Sequence, residues 1–239
     1  MQMTKRRAWC VLVVLAALCL PGARAGAAGR RTERYEALKQ RINEDGRRLR
    51  QRFVASPGAR PRRYAALESA LLRRIDKLFA SWIGSRWGLG LPQSTVPNTG
   101  KTNCGLFVAV ILRDAGFRLP IWKFNRQVAY HGIKSLAPRG KIRYLHRTSM
   151  QTFTERVRAM GPGLYIIGLD FHIGFLRVKP GGDVRFVHGS YITRRVMDEP
   201  ALTATPIVQS RYRMVGKILQ PNMLRAWLKR QPIRVLGDR

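Results

Sequence analysis

Residues 103–116 of this 239-residue chain read NCGLFVAVILRDAG. An almost unbroken apolar run that follows a polar loop and is closed by Gly116 indicates a buried helix with a glycine stop. Thr102 and Asn103 are both suitable N-cap residues for such a helix. We therefore predict a buried central helix from Cys104 to Ala115, on which the rest of the domain packs.

Cys104 stands at the first turn of this predicted helix, a position that favours a reactive thiol. A helix start carries partial positive charge and unpaired backbone N–H groups, and both lower the pKa of a cysteine. The other two cysteines, Cys10 and Cys19, fall in a predicted export signal. The mature chain would then hold one cysteine, which cannot form a disulfide within its own chain. Cys104 is either a small buried residue or a nucleophile.

The second half of the chain contains short runs of β-prone residues. We predict strands at 164–169, 172–178, 184–187 and 214–219, and a last helix at 221–228. Helices followed by antiparallel strands predict an α+β domain, with the central helix packed on the sheet.

Two of the four histidines fall in this strand region. His172 begins one predicted strand and His188 ends the next. A histidine at a strand end that faces a helix N-terminus is what a Cys–His dyad requires. A hairpin that pairs them on one face would let His188 orient His172, whereas a tight two-residue turn at Gly181-Gly182 would put His188 on the opposite face. The sequence leaves both registers open, and His131 and His146 receive no role.

Six segments together resemble the NlpC-type cell-wall peptidases, a family of papain-like cysteine hydrolases. The similarity covers about residues 82–219. The segments are GSRWG at 84–88, NCGLFV at 103–108, DAGF at 114–117, GLYIIG at 163–168, HIGFL at 172–176 and HGS at 188–190. The order of cysteine, histidine and third polar residue is that of papain.

The resemblance implies a papain-like fold and hydrolysis of amide bonds, typically in the stem peptides of peptidoglycan. It assigns Cys104 as the nucleophile, His172 as the base and His188 as the residue that orients the base. Asp170 and Ser190 are alternatives for the third role, because each lies close to a histidine in sequence. The expected mechanism is acyl transfer from a Cys104–His172 ion pair, with the backbone N–H of Cys104 supporting the oxyanion.

The chain departs from the family pattern in two segments. The family usually has Asp-Cys-Ser-Gly where this chain has Asn103-Cys104-Gly105-Leu106, and a tyrosine that lines the family's active site falls near Ser85. These departures leave the dyad intact, but they leave the substrate and the second oxyanion donor open.

The N-terminal segment predicts export. A basic start, an apolar run at 11–20 and the small-x-small sequence Ala23-Arg24-Ala25 indicate a signal peptide over residues 1–25. An uncleaved N-terminal anchor is the alternative. Apolar residues at helical spacing then predict a basic helical extension over 26–81, followed by the hydrolase domain over 82–239. The predicted location is periplasmic or extracellular.

The formal net charge of +32 bears on partners. Such a charge favours attraction to an anionic wall polymer or membrane surface. Because the charges are spread along the whole chain, the alternative is an arginine-rich surface that reflects genomic base composition. We predict a peptide or peptidoglycan-like substrate and no specific nucleic-acid partner.

Other kinds of site are not indicated by the sequence. It contains no phosphate-binding loop and no paired His/Cys spacing for zinc, so we predict no cofactor and no metal. The main alternative to an enzyme is a non-catalytic papain-like module that binds an anionic wall polymer or lipid. An acyltransferase or lipid-directed hydrolase that uses the same dyad is a third class.

Overall fold

A computed structural model describes residues 21–55 and 60–237 of the chain. The described residues form one six-stranded antiparallel sheet and eight α-helices, which confirms the α+β prediction. The strands are β1 (Ile142–Tyr144), β2 (Gly163–Gly168), β3 (Ile173–Val178), β4 (Val184–Ser190), β5 (Arg195–Pro200) and β6 (Met214–Lys217). Their order across the sheet is β1-β6-β2-β3-β4-β5.

The helices lie close to the predicted positions where the sequence is strongly patterned. They are α1 (Pro21–Ala55), α2 (Arg60–Trp82), α3 (Cys104–Asp114), α4 (Ile121–Asn125), α5 (Ala129–Leu136), α6 (Met150–Ala159), α7 (Thr205–Gln209) and α8 (Pro221–Leu228). The central helix α3 begins at Cys104 as predicted, and α8 has the predicted bounds.

The sheet separates two apolar layers. Alternate residues of a strand point to opposite faces, so Phe175 of β3 packs against α2 and α3 while Leu176 packs against α6 and α7. Every residue from Leu106 to Leu112 is fully buried, as expected of a helix that is apolar on all sides. The sheet and the surrounding helices thus enclose α3 and fix its N-terminal end.

The helical extension shares the core of the domain. The buried faces of α1 and α2 belong to the same apolar cluster as α3. The Tyr35 hydroxyl donates to Asp114 Oδ2 at 2.6 Å and accepts a hydrogen bond from Trp82 Nε1 at 2.8 Å. These bonds join α1, α2 and the end of α3 in the interior.

The predicted signal peptide lies outside the described residues up to position 20, as do Cys10 and Cys19, and its last residues form the start of α1. Among the helices of the described ranges, none is both long enough and apolar enough to cross a membrane.

Candidate active site

The N-terminus of α3 is built around Cys104. Asn103 is the N-cap, and its Oδ1 accepts a hydrogen bond from the Leu106 backbone N–H at 2.8 Å. This side chain thus supplies the acceptor that the usual aspartate would provide in the family pattern. Gly105, where the family pattern has a serine, has a packing reason, because a Cβ added there would lie 2.9 Å from Asn125 Oδ1 and 3.2 Å from the Asn125 carbonyl oxygen. A serine does not fit there unless α4 moves.

The hairpin register brings the two histidines onto one face of the sheet. Phe175 pairs with Val187 and Val178 pairs with Val184, so residues 179–183 form a five-residue connection rather than a two-residue turn. Continuing this register places His188 opposite Gly174, two residues after His172. Of the two registers that the sequence left open, the structure has the one that places both imidazoles together.

A hydrogen-bonded chain links the two histidines to a carboxylate. His172 Nε2 lies 2.8 Å from His188 Nδ1, and His188 Nε2 lies 2.8 Å from Glu199 Oε1. A carboxylate oxygen accepts, so His188 donates from Nε2 and its Nδ1 holds a lone pair. His172 must then donate from Nε2 to that lone pair. Its own Nδ1 is left with a lone pair and, within the described chain, no hydrogen-bond partner.

Aromatic rings enclose this chain of imidazoles. The Phe186 ring stacks on His188 at a centroid distance of 3.9 Å, and the Tyr191 ring meets His172 edge-on at 5.4 Å. Both histidines are buried. Burial lowers the pKa of His172 to about 3, with a further contribution from His188, and it lowers the pKa of His188 in spite of the opposing Glu199 carboxylate. Both imidazoles are therefore neutral at neutral pH.

The Cys104 thiol lies at the start of β3, against the backbone of Ile173, the residue after His172. It accepts hydrogen bonds from the backbone N–H groups of Cys104, Gly105 and Ile173, which lower its pKa, but burial is the larger effect and raises the pKa overall. The resting site therefore holds a neutral thiol and a neutral imidazole. The expected Cys104–His172 ion pair is wrong for this state, because removal of both groups from water disfavours both charges.

The approach of β4 to α3 also depends on a glycine. A Cβ added at Gly189 would lie 2.9 Å from Trp87 Cδ1 and 3.7 Å from the Asn103 carbonyl carbon. The end of β4 thus touches the residue that caps α3. No hydrogen bond joins Cys104 Sγ to His172 Nδ1 in the described structure.

The two alternatives for the third residue lie elsewhere in the hydrogen-bond network. Asp170 accepts hydrogen bonds from the Ser210 hydroxyl and from the backbone N–H groups of Arg211 and Tyr212. These bonds lower its pKa and tie the β2–β3 turn to the segment after α7. Ser190 Oγ accepts from two backbone N–H groups in the turn that follows β4. Among the three candidates, His188 is the one that the structure places against His172.

A side-chain amide lies beside the start of α3. Gln93 Oε1 accepts from Asn103 Nδ2 at 3.1 Å and lies 3.5 Å from Asn125 Nδ2. Because both contacts use the carbonyl oxygen, Gln93 Nε2 stays free of hydrogen bonds to the rest of the described chain. Ser85, at the position of the family's tyrosine, is buried, and its Oγ has no hydrogen-bond partner among the described residues.

A pocket of about 230 Å³ lies between the β2–β3 turn and α7, with His172 among its lining residues. The almost fully exposed Phe171 and the half-exposed Tyr191 line it. Through Ser210 it borders a larger hollow of about 910 Å³, whose lining includes Arg147 and Arg211. The surface beside these two hollows is thus partly aromatic and partly basic.

Metal ligation is not supported by the part of the chain that the structure describes, where no group of three or more His, Cys, Asp or Glu side chains is placed to hold an ion. His131 lies in α5. His146 follows β1, stacks on Tyr212 at 4.8 Å and accepts from the Arg213 backbone N–H, so neither histidine joins the site.

Three contributors to the site carry no sequence signal strong enough to identify them in advance. Glu199 lies on a charged edge strand, and only the strand register reveals its contact with His188. Tyr191 lies in a turn, and Gln93 lies in an irregular loop with no periodicity. Once the two histidines are paired, a search for an acceptor on the neighbouring strand would have identified Glu199.

No protein-family model matches the chain, and no curated protein matches it.

Proposed function

We propose that this protein is an exported thiol hydrolase with a papain-like, NlpC-type core that cleaves amide bonds, with cell-wall peptides as its substrate class. Cys104 is the nucleophile, His172 the base and His188 the residue that orients the base. The observation that supports the proposal is the hydrogen-bonded pair of buried histidines, which leaves a lone pair on His172 Nδ1, together with a thiol at a helix N-terminus whose donors include the backbone N–H of Ile173, the residue after His172.

The chemistry follows from the neutral resting state. His172 Nδ1 takes the thiol proton as Cys104 Sγ attacks the carbonyl carbon, so the imidazolium forms only when negative charge develops on the substrate. The backbone N–H of Cys104 donates to the oxyanion. The C–N bond then breaks as His172 returns the proton to the leaving amine, and a thioester remains on Cys104.

Deacylation uses the same groups in the same order. Water attacks the thioester carbonyl while His172 Nδ1 accepts a proton from it. The second tetrahedral intermediate collapses with loss of the Cys104 sulfur, which regains the proton from His172. The amide is thereby hydrolysed to an acid and an amine, and the site returns to the neutral thiol and neutral imidazole.

The test is turnover of purified peptidoglycan peptides and of a simple peptide amide by wild type and three alanine variants. Cys104→Ala and His172→Ala should abolish hydrolysis, whereas His188→Ala should only reduce it, because the His172 ring can partly orient itself. His131→Ala is the control for the loss of an imidazole outside the site. A fully active Cys104→Ala variant would remove the proposal.

The second candidate is a non-catalytic module that binds an anionic wall polymer or lipid. The observations that favour it are the formal charge of +32 and the lack of a hydrogen bond between Cys104 Sγ and His172. Binding to polyphosphate or to phosphatidylglycerol vesicles, measured between 50 and 500 mM salt, distinguishes the candidates. If the protein is a binding module, Cys104→Ala should bind as well as wild type, and neither should release an amine from any amide. If the protein is an enzyme, Cys104→Ala should lose turnover.

A further inference from the structure

Glu199 ends the hydrogen-bonded series His172–His188–Glu199, and it is the member of that series nearest to solvent. It lies on β5 opposite Phe186, on the same face as His188, and its side chain is 27% exposed. Its neighbour Asp198 points to the other face, where it pairs with Arg185. Two adjacent acidic residues thus differ sharply in what they contact.

A buried imidazole N–H needs an acceptor, and Glu199 supplies it to His188 Nε2 at 2.8 Å. This acceptor also determines where the protons lie on the two imidazoles. With the proton of His188 held on Nε2, its Nδ1 can only accept, so the proton of His172 is held on Nε2. The lone pair of His172 is thereby fixed on Nδ1, the nitrogen that removes the thiol proton in the proposed mechanism.

Without the carboxylate, the opposite arrangement becomes available. His188 then carries its proton on Nδ1 and donates it to His172 Nε2. His172 must carry its own proton on Nδ1, and a protonated Nδ1 cannot accept one from Cys104. The distance between the two imidazoles is unchanged in this arrangement, but the base is lost.

We propose that Glu199 is a positioning residue that, through His188, sets the tautomer of His172 so that the Nδ1 lone pair is available to Cys104. The kinetic part of this inference rests on the proposed hydrolase function. The tautomer part rests only on the hydrogen-bond geometry, so it can be tested without turnover.

The first measurement is the tautomer of each imidazole by long-range ¹H–¹⁵N NMR. In wild type, both His172 and His188 should carry their proton on Nε2. Finding the proton of His172 on Nδ1 in folded wild type would overturn the inference without any variant. In Glu199→Gln the side-chain carbonyl still accepts from His188, so both tautomers should be kept. In Glu199→Leu the acceptor is lost, and both histidines should show mixed or reversed tautomers.

The second measurement is the steady-state kinetics of the same variants on a peptide amide. General-base catalysis contributes about 10²–10⁴-fold, so Glu199→Leu should lower kcat toward that range with KM nearly unchanged. Glu199→Gln should keep kcat close to that of wild type, because its side-chain carbonyl still accepts from His188. Asp198→Asn is the matched control from the same strand, and it should change neither the tautomers nor kcat.

The outcomes separate this inference from the proposed function. If Glu199→Leu keeps both the wild-type tautomers and kcat, the positioning role is wrong. If Glu199→Leu fails to fold, the histidine tautomers of wild type and of Glu199→Gln still decide whether the positioning role holds. If the tautomers follow residue 199 as stated while wild type hydrolyses no amide, the hydrolase proposal fails and the structural role of Glu199 stands.

Discussion

At Cys104 two effects of the protein environment act in opposite directions. Backbone N–H groups at the helix start favour the thiolate, and loss of water disfavours it. The second effect is the larger one, because burial is the leading cause of the raised pKa. A helix N-terminus therefore does not by itself produce a resting thiolate when the sulfur is desolvated.

The first prediction concerns the reactivity of this thiol. Because the pKa of Cys104 is raised, alkylation by iodoacetamide should be slower at pH 6–7 than that of free cysteine. The midpoint of the rate profile should lie above the free value of about 8.5. The rate can be followed by mass spectrometry between pH 5 and 10, with the urea-unfolded protein as the control. A midpoint below that of the unfolded protein would instead support a resting Cys104–His172 ion pair.

The second prediction concerns stability in acid. Unfolded His172 takes up a proton near pH 6.5, whereas the folded protein resists it until about pH 3. Because the pKa of His172 is lower in the folded than in the unfolded protein, its contribution to the free energy of unfolding is fully present above pH 6.5. That contribution is lost as the pH falls from 6.5 toward 3. The free energy of unfolding then changes by up to about 1.4 kcal/mol per pH unit for one proton. Urea midpoints from pH 7 to 4 should fall less steeply in His172→Gln than in wild type, and His131→Gln should follow wild type.

The third prediction concerns the open question of a second oxyanion donor. Gln93 is held by its carbonyl oxygen beside Asn103, which leaves its Nε2 able to donate to a substrate oxygen next to Cys104. Removal of such a donor lowers kcat by about 10²–10³-fold. Gln93→Ala should therefore lower kcat with little change in KM. Ser94→Ala is the neighbouring control, since Ser94 hydrogen-bonds within its own loop. Equal losses in both variants would indicate that loop disorder, rather than a lost donor, is the cause.

At the scale of elements, the precision of sequence reasoning followed the strength of the local pattern. Helix α3 and strand β3 were predicted within one residue, because a long apolar run and a β-prone run have few alternatives. The edge strand β5 was missed, since its charged and proline-containing sequence has no apolar alternation. The five-residue helices α4 and α7 were missed because one turn and a half shows no period.

The candidate site could likewise be predicted only where the local sequence pattern is strong. Cys104 and His172 were identified from their places at element ends, which the sequence encodes locally. The pairing of His172 with His188 depended on the length of the β3–β4 connection, and the two glycines in it were compatible with two registers. Glu199 depended in turn on that register, so it could not be found until the first ambiguity was removed.

The fourth prediction tests the packing between β3 and β4 at Gly174. A Cβ there would lie 2.7 Å from Phe186 Cε2 and 2.8 Å from His188 Cβ. Such overpacking costs about 1–3 kcal/mol, so Gly174→Ala should lower the free energy of unfolding by that amount and reduce turnover by displacing His188. Gly181→Ala in the same hairpin is the matched control, because a Cβ at Gly181 meets nothing within 4 Å. Equal urea midpoints for the two variants would contradict the close approach.

At the scale of the whole molecule, charge and core act against each other. The chain has 45 basic and 13 acidic side chains, so most basic groups remain without an acidic partner even if every acid is paired once. Such an excess destabilises a compact state by self-repulsion. The extension counteracts this effect, since α1 and α2 add apolar surface to the core that holds α3. The site at the start of α3 thus depends on residues more than 20 positions upstream.

The last prediction tests whether the extension and the sheet domain unfold together. Tyr35 of α1 donates to Asp114 at the end of α3 and accepts from Trp82 of α2, all in the interior. Tyr35→Phe keeps the ring but leaves a buried carboxylate oxygen and a buried indole N–H each with one hydrogen bond fewer. An unsatisfied buried group costs about 1–3 kcal/mol. The free energy of unfolding should fall by that amount in a single urea transition, reported identically by tryptophan fluorescence and by circular dichroism.

The matched control is Tyr64→Phe in α2, whose ring packs on Phe53 and whose hydroxyl makes no hydrogen bond with a described residue. It should change stability by much less than Tyr35→Phe. Two separate transitions, with only the first shifted by Tyr35→Phe, would show that the extension is an independent unit. A single shifted transition would instead mean that the extension stabilises the helix carrying Cys104, because the hydrogen bonds removed at Tyr35 lie at the opposite end of that same helix.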